Sequence, residues 1–266
     1  MTRLSNVELI QNIVENYLEE HFQLSIEDLE RWYGHRLCQF VTKLRGLDFN
    51  FFDIVGSQTV KFVTDEINLT KEYYFDNIGF QPGDIVIDIG ANVGMVSIFL
   101  AKKYPFLKIY SYEPVYLNYC NLTRNIQLNK IPEGIITPIR KAVNGDGSPV
   151  SIMFDPRNSG GSALCKECKE GFILKKEDTN IEAITLEQIF KEHNIEKVKL
   201  LKIDCEGGEY DILKSCAPKY LKKIEVLRGE FHEDIRVNPD QQIDELIAYC
   251  QKYIKYIDVT KCKPRY

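Results

Sequence analysis

The sequence predicts an α/β fold, a parallel sheet covered by helices with a helical extension ahead of it. Three observations carry the prediction. From Gly83 onward, short apolar runs of strand character (DIVIDIG, KIYSYEP, IITPIRKAV, VKLLKIDCEG, KIEVLRGEFH) alternate with runs of helical period. The first strand leads directly into a glycine turn, Gly90-Ala91-Asn92-Val93-Gly94, behind which a helix begins. The second strand ends in an acid, Glu113, in the sequence Tyr112-Glu113-Pro114. Strand, glycine turn, helix, strand and acid in that order describe a Rossmann-like sheet.

Taken in order, residues 4 to 22 place Leu4, Val7, Ile10, Ile13, Val14, Tyr17 and Leu18 at helical spacing, and Ser25 with Asp28 opens a second helix. Residues 49 to 64 hold two β-rich runs around Gly56-Ser57, read as a hairpin leading into the main domain. The strand at 85 to 89 then feeds a helix that Pro105 stops. After the strand KIYSYEP a helix continues through Asn129, and IITPIRKAV reads as the third strand. Downstream come the helix ITLEQIFKEH, the buried strand VKLLKIDCEG, the helix EYDILKS, the strand KIEVLRGEFH and a last helix, QQIDELIAYCQKY. The division expected is an extension and hairpin over 1–78 and a sheet domain over 79–266.

Composition narrows the function classes. The chain has 266 residues, 44% of them apolar and 27% charged, enough for one sizeable core. No stretch approaches the roughly 20 apolar residues of a membrane span, and the acidic start MTRLSNVELIQNIVENYLEEHF lacks a secretory h-region, so the expected address is the cytoplasm. Eight cysteines are too sparse for a disulfide scaffold; Cys120, Cys205, Cys216 and Cys250 fall in periodic runs and read as reduced thiols. A net charge of -5 opposes a sequence-independent grip on nucleic acid, and Lys219, Lys222 and Lys223 read as a solvated helix end.

The glycine turn sits at the carboxyl end of the first parallel strand, where open α/β sheets bind ligands. Its helix N-terminus favours a carboxylate, and Asp88 is available for an ammonium. A dinucleotide fingerprint would need glycine at 92 and 95, but Asn92 and Met95 stand there and would crowd a pyrophosphate. Methionine's amino acid end is smaller. Glu113 is placed to accept both ribose hydroxyls of an adenosine cofactor.

Several stretches resemble the FkbM-type methyltransferases: VIDIGANVGMVSIFLA, YSYEPVYLNYCNLTRNIQLN, RKAV, NSGGSAL, LLKIDCEGGEYDIL and GEFH ending at His232. The resemblance spans roughly residues 80 to 232. It implies a class I methyltransferase fold, S-adenosyl-L-methionine as donor, and a hydroxyl acceptor on a carbohydrate or small metabolite. Carried over by position, Asp88, Gly90, Ala91, Asn92 and Gly94 line the methionine end, Glu113 the ribose and Ala142 the adenine. PVSIMFD at 149 to 155 and the NSGGS after it resemble the family's insertion over the site.

The reacting end is expected on the next two strands. Lys202, Asp204 and Glu206 reach the same carboxyl edge, and a charged Lys-x-Asp in an apolar strand needs partners. Asp204 thus counts both beside the donor and, with Lys202 and His232, among the catalytic residues. His232 or Asp204 is the expected base, with a histidine base deprotonating near pH 6.5. Asp204, Glu206 and Glu209 supply oxygens a divalent cation could use to hold a diol acceptor, although helix capping by Glu206 and Glu209 is the stronger reading and no metal is expected. Cys165 and Cys168 lack the further ligands of a zinc site. Two rivals stand beside the methyltransferase: an NAD-type oxidoreductase, opposed by Asn92 and Met95, and a silent nucleoside-binding scaffold on the same fold.

Overall fold

The computed structural model describes residues 37–54, 57–69, 73, 75–154, 159–160, 162–164, 176–232 and 243–262. The two helices expected before residue 37 and the Cys165/Cys168 loop lie outside them.

The centre is a six-stranded parallel sheet. In chain order its strands are β3 (Ile85–Ile89), β4 (Lys108–Tyr112), β5 (Ile136–Ile139), β11 (Val198–Ile203), β12 (Ile224–His232) and β13 (Tyr256–Cys262). Across the sheet the order is β13-β12-β11-β3-β4-β5, so the direction of winding reverses between β3 and β11. Crevices form at such reversals. Strand alternation sends Ile87, Leu201 and Leu227 into one apolar cluster and Val86, Leu200 and Val226 into the other. Both faces are therefore covered, as a parallel sheet requires.

One face carries α4 (Leu186–Glu192), α5 (Glu209–Ser215) and α7 (Ile243–Cys250). Thr185 starts α4 with a capping box, its hydroxyl accepting from Gln188 N while the Gln188 side chain accepts from Thr185 N. The other face carries α2 (Met95–Lys103), whose residues 95 to 101 are all buried. Between β4 and β5 runs α3 (Tyr116–Leu128), and α6 (Pro218–Leu221) is a single turn before β12. Among the described residues no helix is long and apolar enough to cross a membrane.

The hairpin expected around Gly56-Ser57 is displaced. It is formed by β1 (Leu37–Leu44) and β2 (Leu47–Ile54), turning at Arg45-Gly46 with both residues in the left-handed region. The second β-rich run is instead helix α1 (Thr59–Leu69). Phe49 and Phe51 of β2 share the apolar cluster of α2, and the amides of Asn125 on α3 and Asn129 at its C-terminal cap complete β2's edge. Asn125 accepts from Phe52 N at 2.6 Å and donates to Phe52 O at 3.0 Å, and Asn129 pairs in the same way with Asn50. Two side chains one helical turn apart thus serve as a neighbouring strand.

IITPIRKAV is also not one strand. Lys141 N bonds Ile139 O in a tight turn, and the chain leaves the sheet so that β6 (Ala142–Asn144) pairs with β10 (Ala183–Thr185). Pro138 is tolerated because β5 is the edge strand. The expected insertion forms a three-stranded antiparallel sheet of β7 (Val150–Phe154), β8 (Ser162–Leu164) and β9 (Lys176–Ile181).

Candidate active site

At the β3/β11 reversal lies a cavity of about 360 Å³, running from Ala142 and Glu113 past the glycine turn to Lys202, Asp204, Glu206 and Glu230. The turn needs its glycines. Gly90 has φ +76°, and a Cβ there would stand 1.8 Å from the backbone oxygen of Asp204. Asn92 also adopts a left-handed φ, +53°, which asparagine tolerates.

Glu113 is bound directly to this turn. Its Oε2 accepts from Asn92 N at 2.8 Å and its Oε1 from Val115 N at 2.9 Å. Burial pushes its carboxyl up to about 7, although those two N–H groups pull the other way. The backbone of Ser159 closes this end: its carbonyl accepts from Asn92 Nδ2 at 2.8 Å and Asn118 Nδ2 at 2.9 Å. Ser159 Oγ donates to the buried carboxylate of Asp53 at 3.0 Å, so the insertion, β2 and the turn meet in one polar knot.

Lys202 sits beneath the turn. Its Nζ donates to Gly90 O at 2.7 Å and lies 3.2 Å from Asp88 Oδ1 and 3.9 Å from Asp204 Oδ2. Burial works against its charge, but Asp88 and Asp204 outweigh it and raise its pKa. It is a fixed ammonium and not a base. Asp88, fully buried, also accepts from Ser97 Oγ at 2.6 Å. The structure therefore corrects its expected place: Asp88 is the inner counter-ion of Lys202 and does not line the cavity. Gly94 lies behind it too, where a Cβ would meet Leu122 Cδ1 at 2.4 Å.

His232 does not line the cavity either; acids surround it. Nδ1 is 3.1 Å from Glu209 Oε1, while Nε2 is 3.6 Å from Glu206 and 3.7 Å from Glu230. Burial lowers its basicity, but the hydrogen bonds to Cys262 and Glu209 and the charges of Glu209 and Glu206 push its pKa up to about 12. The expectation of a histidine base titrating near neutrality is thereby corrected: His232 is an imidazolium that ties acids together. Ligand-type atoms of Asp204, Glu206 and His232 lie within 4.8 Å of one another. The expected helix cap is not what Glu209 forms: no side chain caps the first turn of α5, and Glu209 instead accepts from Cys205 N and Gly207 N in the loop ahead of it.

Gly90, Ala91, Asn92, Glu113, Ala142, Lys202 and Asp204 thus come together around one cavity. Sequence reasoning missed the opposite wall, formed by Thr59, Phe62, Val63 and Glu66 of α1 and by Tyr73, whose hydroxyl donates to Asp204 Oδ2 at 3.1 Å. Ser57 followed by Thr59 ahead of an i, i+4 apolar pair was the available signal for that helix.

Comparison with known proteins decides what this cavity belongs to. Residues 88–254, more than half of the chain, match the family described as the methyltransferase FkbM domain. The chain belongs to the FkbM methyltransferase family. Among relatives of this FkbM methyltransferase, sdnD of Sordaria araneosa, a methyltransferase, is 25% identical over 211 residues, covering 70% of this chain and 80% of that protein. The 31-O-demethyl-FK506 methyltransferase FkbM of Streptomyces tacrolimicus is 22% identical over 200 residues, 67% of this chain and 77% of its own length. Hexuronic acid methyltransferase AglP of Haloferax volcanii is 22% identical over 155 residues, 58% of this chain and 59% of that protein. Family membership settles the choice between methyltransferase and oxidoreductase that the glycine turn alone left open.

Proposed function

We propose that this FkbM methyltransferase moves the methyl group of S-adenosylmethionine to a hydroxyl oxygen of a small or carbohydrate-like acceptor. The observation that carries the reading is the continuity of the cavity: a buried carboxylate on a glycine turn at one end, Asp204 at the other. The residues present suit the donor. Asn92 and Met95 stand where a dinucleotide's pyrophosphate would need glycine, whereas Glu113 faces the cavity as the acceptor for ribose hydroxyls. Ala142 would lie by the adenine, and Gly90, Ala91 and Asn92 would hold the methionine end. Lys202, with Asp88 behind it, fixes the turn through Gly90 O.

When bound, the donor supplies an electrophilic methyl on a sulfonium. Little covalent help is needed from the protein, which positions the acceptor and takes its proton. Asp204 is the group for that task. The Asp204 carboxylate would take the hydroxyl proton and pass it to solvent as the acceptor oxygen gains the methyl and the donor leaves as the neutral thioether. His232 keeps the neighbouring acids in place as their shared cation. The named activities of FkbM on 31-O-demethyl-FK506 and of AglP on hexuronic acid support a metabolite or sugar acceptor. We assign the methyltransferase unit to 79–266 and the extension with its hairpin to 1–78.

The test is mass spectrometry of a metabolite extract incubated with the protein and isotopically labelled S-adenosylmethionine, alongside calorimetry with S-adenosylhomocysteine. An O-methylated product is expected, and Asp204→Asn should lower its formation about 100-fold or more while the donor still binds. A label found on nitrogen or carbon would overturn the oxygen acceptor, and absent S-adenosylhomocysteine binding would overturn the donor.

A further inference from the structure

The residue that grips Asp204 comes from outside the family domain. Tyr73 precedes residues 88–254 and is 2% exposed. Its ring stacks on Phe75 at 5.9 Å, and Phe75 packs on Phe99 of α2 at 6.3 Å. That apolar stack fixes where the phenol oxygen sits. It donates to Asp204 Oδ2 at 3.1 Å, and both residues line the cavity. On the same side α1 presents Thr59, Phe62, Val63 and Glu66, with Phe62 still 55% exposed.

We propose that Tyr73 is a positioning residue for methyl transfer: it holds one oxygen of Asp204 so that the other, Oδ1, meets the acceptor hydroxyl. The wall formed by α1 and Tyr73 is then the acceptor side of the cavity. This rests on the reading of Asp204 given above. A carboxylate's terminal torsion is broad, so an aspartate on a strand end turns freely unless something selects one orientation. Lys202 Nζ, at 3.9 Å from the same Oδ2, is beyond hydrogen-bond distance and does not make that selection. Tyr73 does. Burial, with the charges of Asp204, Glu230 and Glu66, raises its pKa well above that of an ordinary tyrosine, so it remains a donor at every working pH.

Tyr73→Phe removes the hydroxyl and keeps the ring. In protein labelled with 13Cγ-aspartate, the resonance lost in Asp204→Asn identifies Asp204, and Tyr73→Phe should shift that resonance. The same variant should bind S-adenosylhomocysteine within about twofold of the wild type, yet turn over about tenfold more slowly at unchanged acceptor KM, on whichever acceptor the labelled-donor assay yields. An Asp204 resonance that stays in place overturns the proposal, as does unchanged turnover. A parallel loss of S-adenosylhomocysteine affinity would make Tyr73 part of the donor site or the fold and would overturn it as well. If the wild type itself did not bind S-adenosylhomocysteine, the donor reading would fall while the resonance still reported on the Tyr73–Asp204 bond.

Discussion

Glu113, proposed above as the acceptor for ribose hydroxyls, would carry both binding and a pH response. Its carboxyl, buried against the turn, is raised to about 7, and ribose hydroxyls need an ionised acceptor. Only the ionised fraction is then competent, so the Kd for S-adenosylhomocysteine should tighten by about tenfold between pH 6 and pH 8. Glu113→Gln should bind more weakly at pH 8 by about 1.5 to 3 kcal/mol and lose the pH dependence. Calorimetry at the two pH values checks both. Ser159 offers a contrast. Its hydroxyl serves the buried Asp53, whose carboxyl burial pushes up to about 6, while only its backbone carbonyl faces the turn. Ser159→Ala should cost about 1 to 3 kcal/mol of stability and leave donor affinity nearly unchanged, as melting and calorimetry would show.

At the scale of elements, two glycines flank the end of β11. A Cβ on Gly90 would stand 1.8 Å from Asp204 O, and one on Gly229, at φ +136°, 1.8 Å from Ile203 O. Gly229→Ala, remote from the donor end, should therefore lower the melting temperature severely, with about 1 to 3 kcal/mol from backbone strain alone and more from the clash. A melting temperature within a few degrees of wild type would refute that close approach. The glycine turn, Glu113 and the strand bearing Lys202 and Asp204 were legible in the sequence because spacing and apolar runs are local signals. Helix α1 was not: Val60, Phe62, Val63 and Thr64 have strand preferences that packing against the hairpin overrides. The break after Ile139 was hidden because Arg140-Lys141 carries no turn residue. His232 misled for a related reason. Its strand position was correct, but the acids that hold its proton come from Glu206, from α5 and from β12 itself, and only the fold assembles them.

For the whole molecule, the raised groups set how stability follows pH. Asp53 and Glu113, held up to about 6 and about 7, contribute stability that is fully present below their ordinary range and is lost as pH rises through those values. His232, raised to about 12, contributes fully below about 6.5 and loses that contribution as pH climbs toward its folded value. All three act in one direction. The ligand-free protein should melt several degrees higher at about pH 5.5 than at about pH 8.5, at roughly 2 to 4 °C per kcal/mol for a chain of this size. Scanning calorimetry at the two pH values checks it, and a higher melting temperature at the alkaline end would refute it.

The sheet order has a further consequence, for the birth of the chain. β3 pairs with β4, which follows it closely, but its other neighbour is β11, where Leu200 lies opposite Val86. During synthesis the first half of the sheet can assemble by Ile139 while β3 still presents an open, apolar edge, and that edge stays bare until β11, which begins only at Val198, has left the ribosome. A nascent chain released before Val198 carries the glycine turn and Glu113 but has no partner for that edge. Such fragments should aggregate, and the full-length protein should fold slowly for its size because its central pairing is its most distant one.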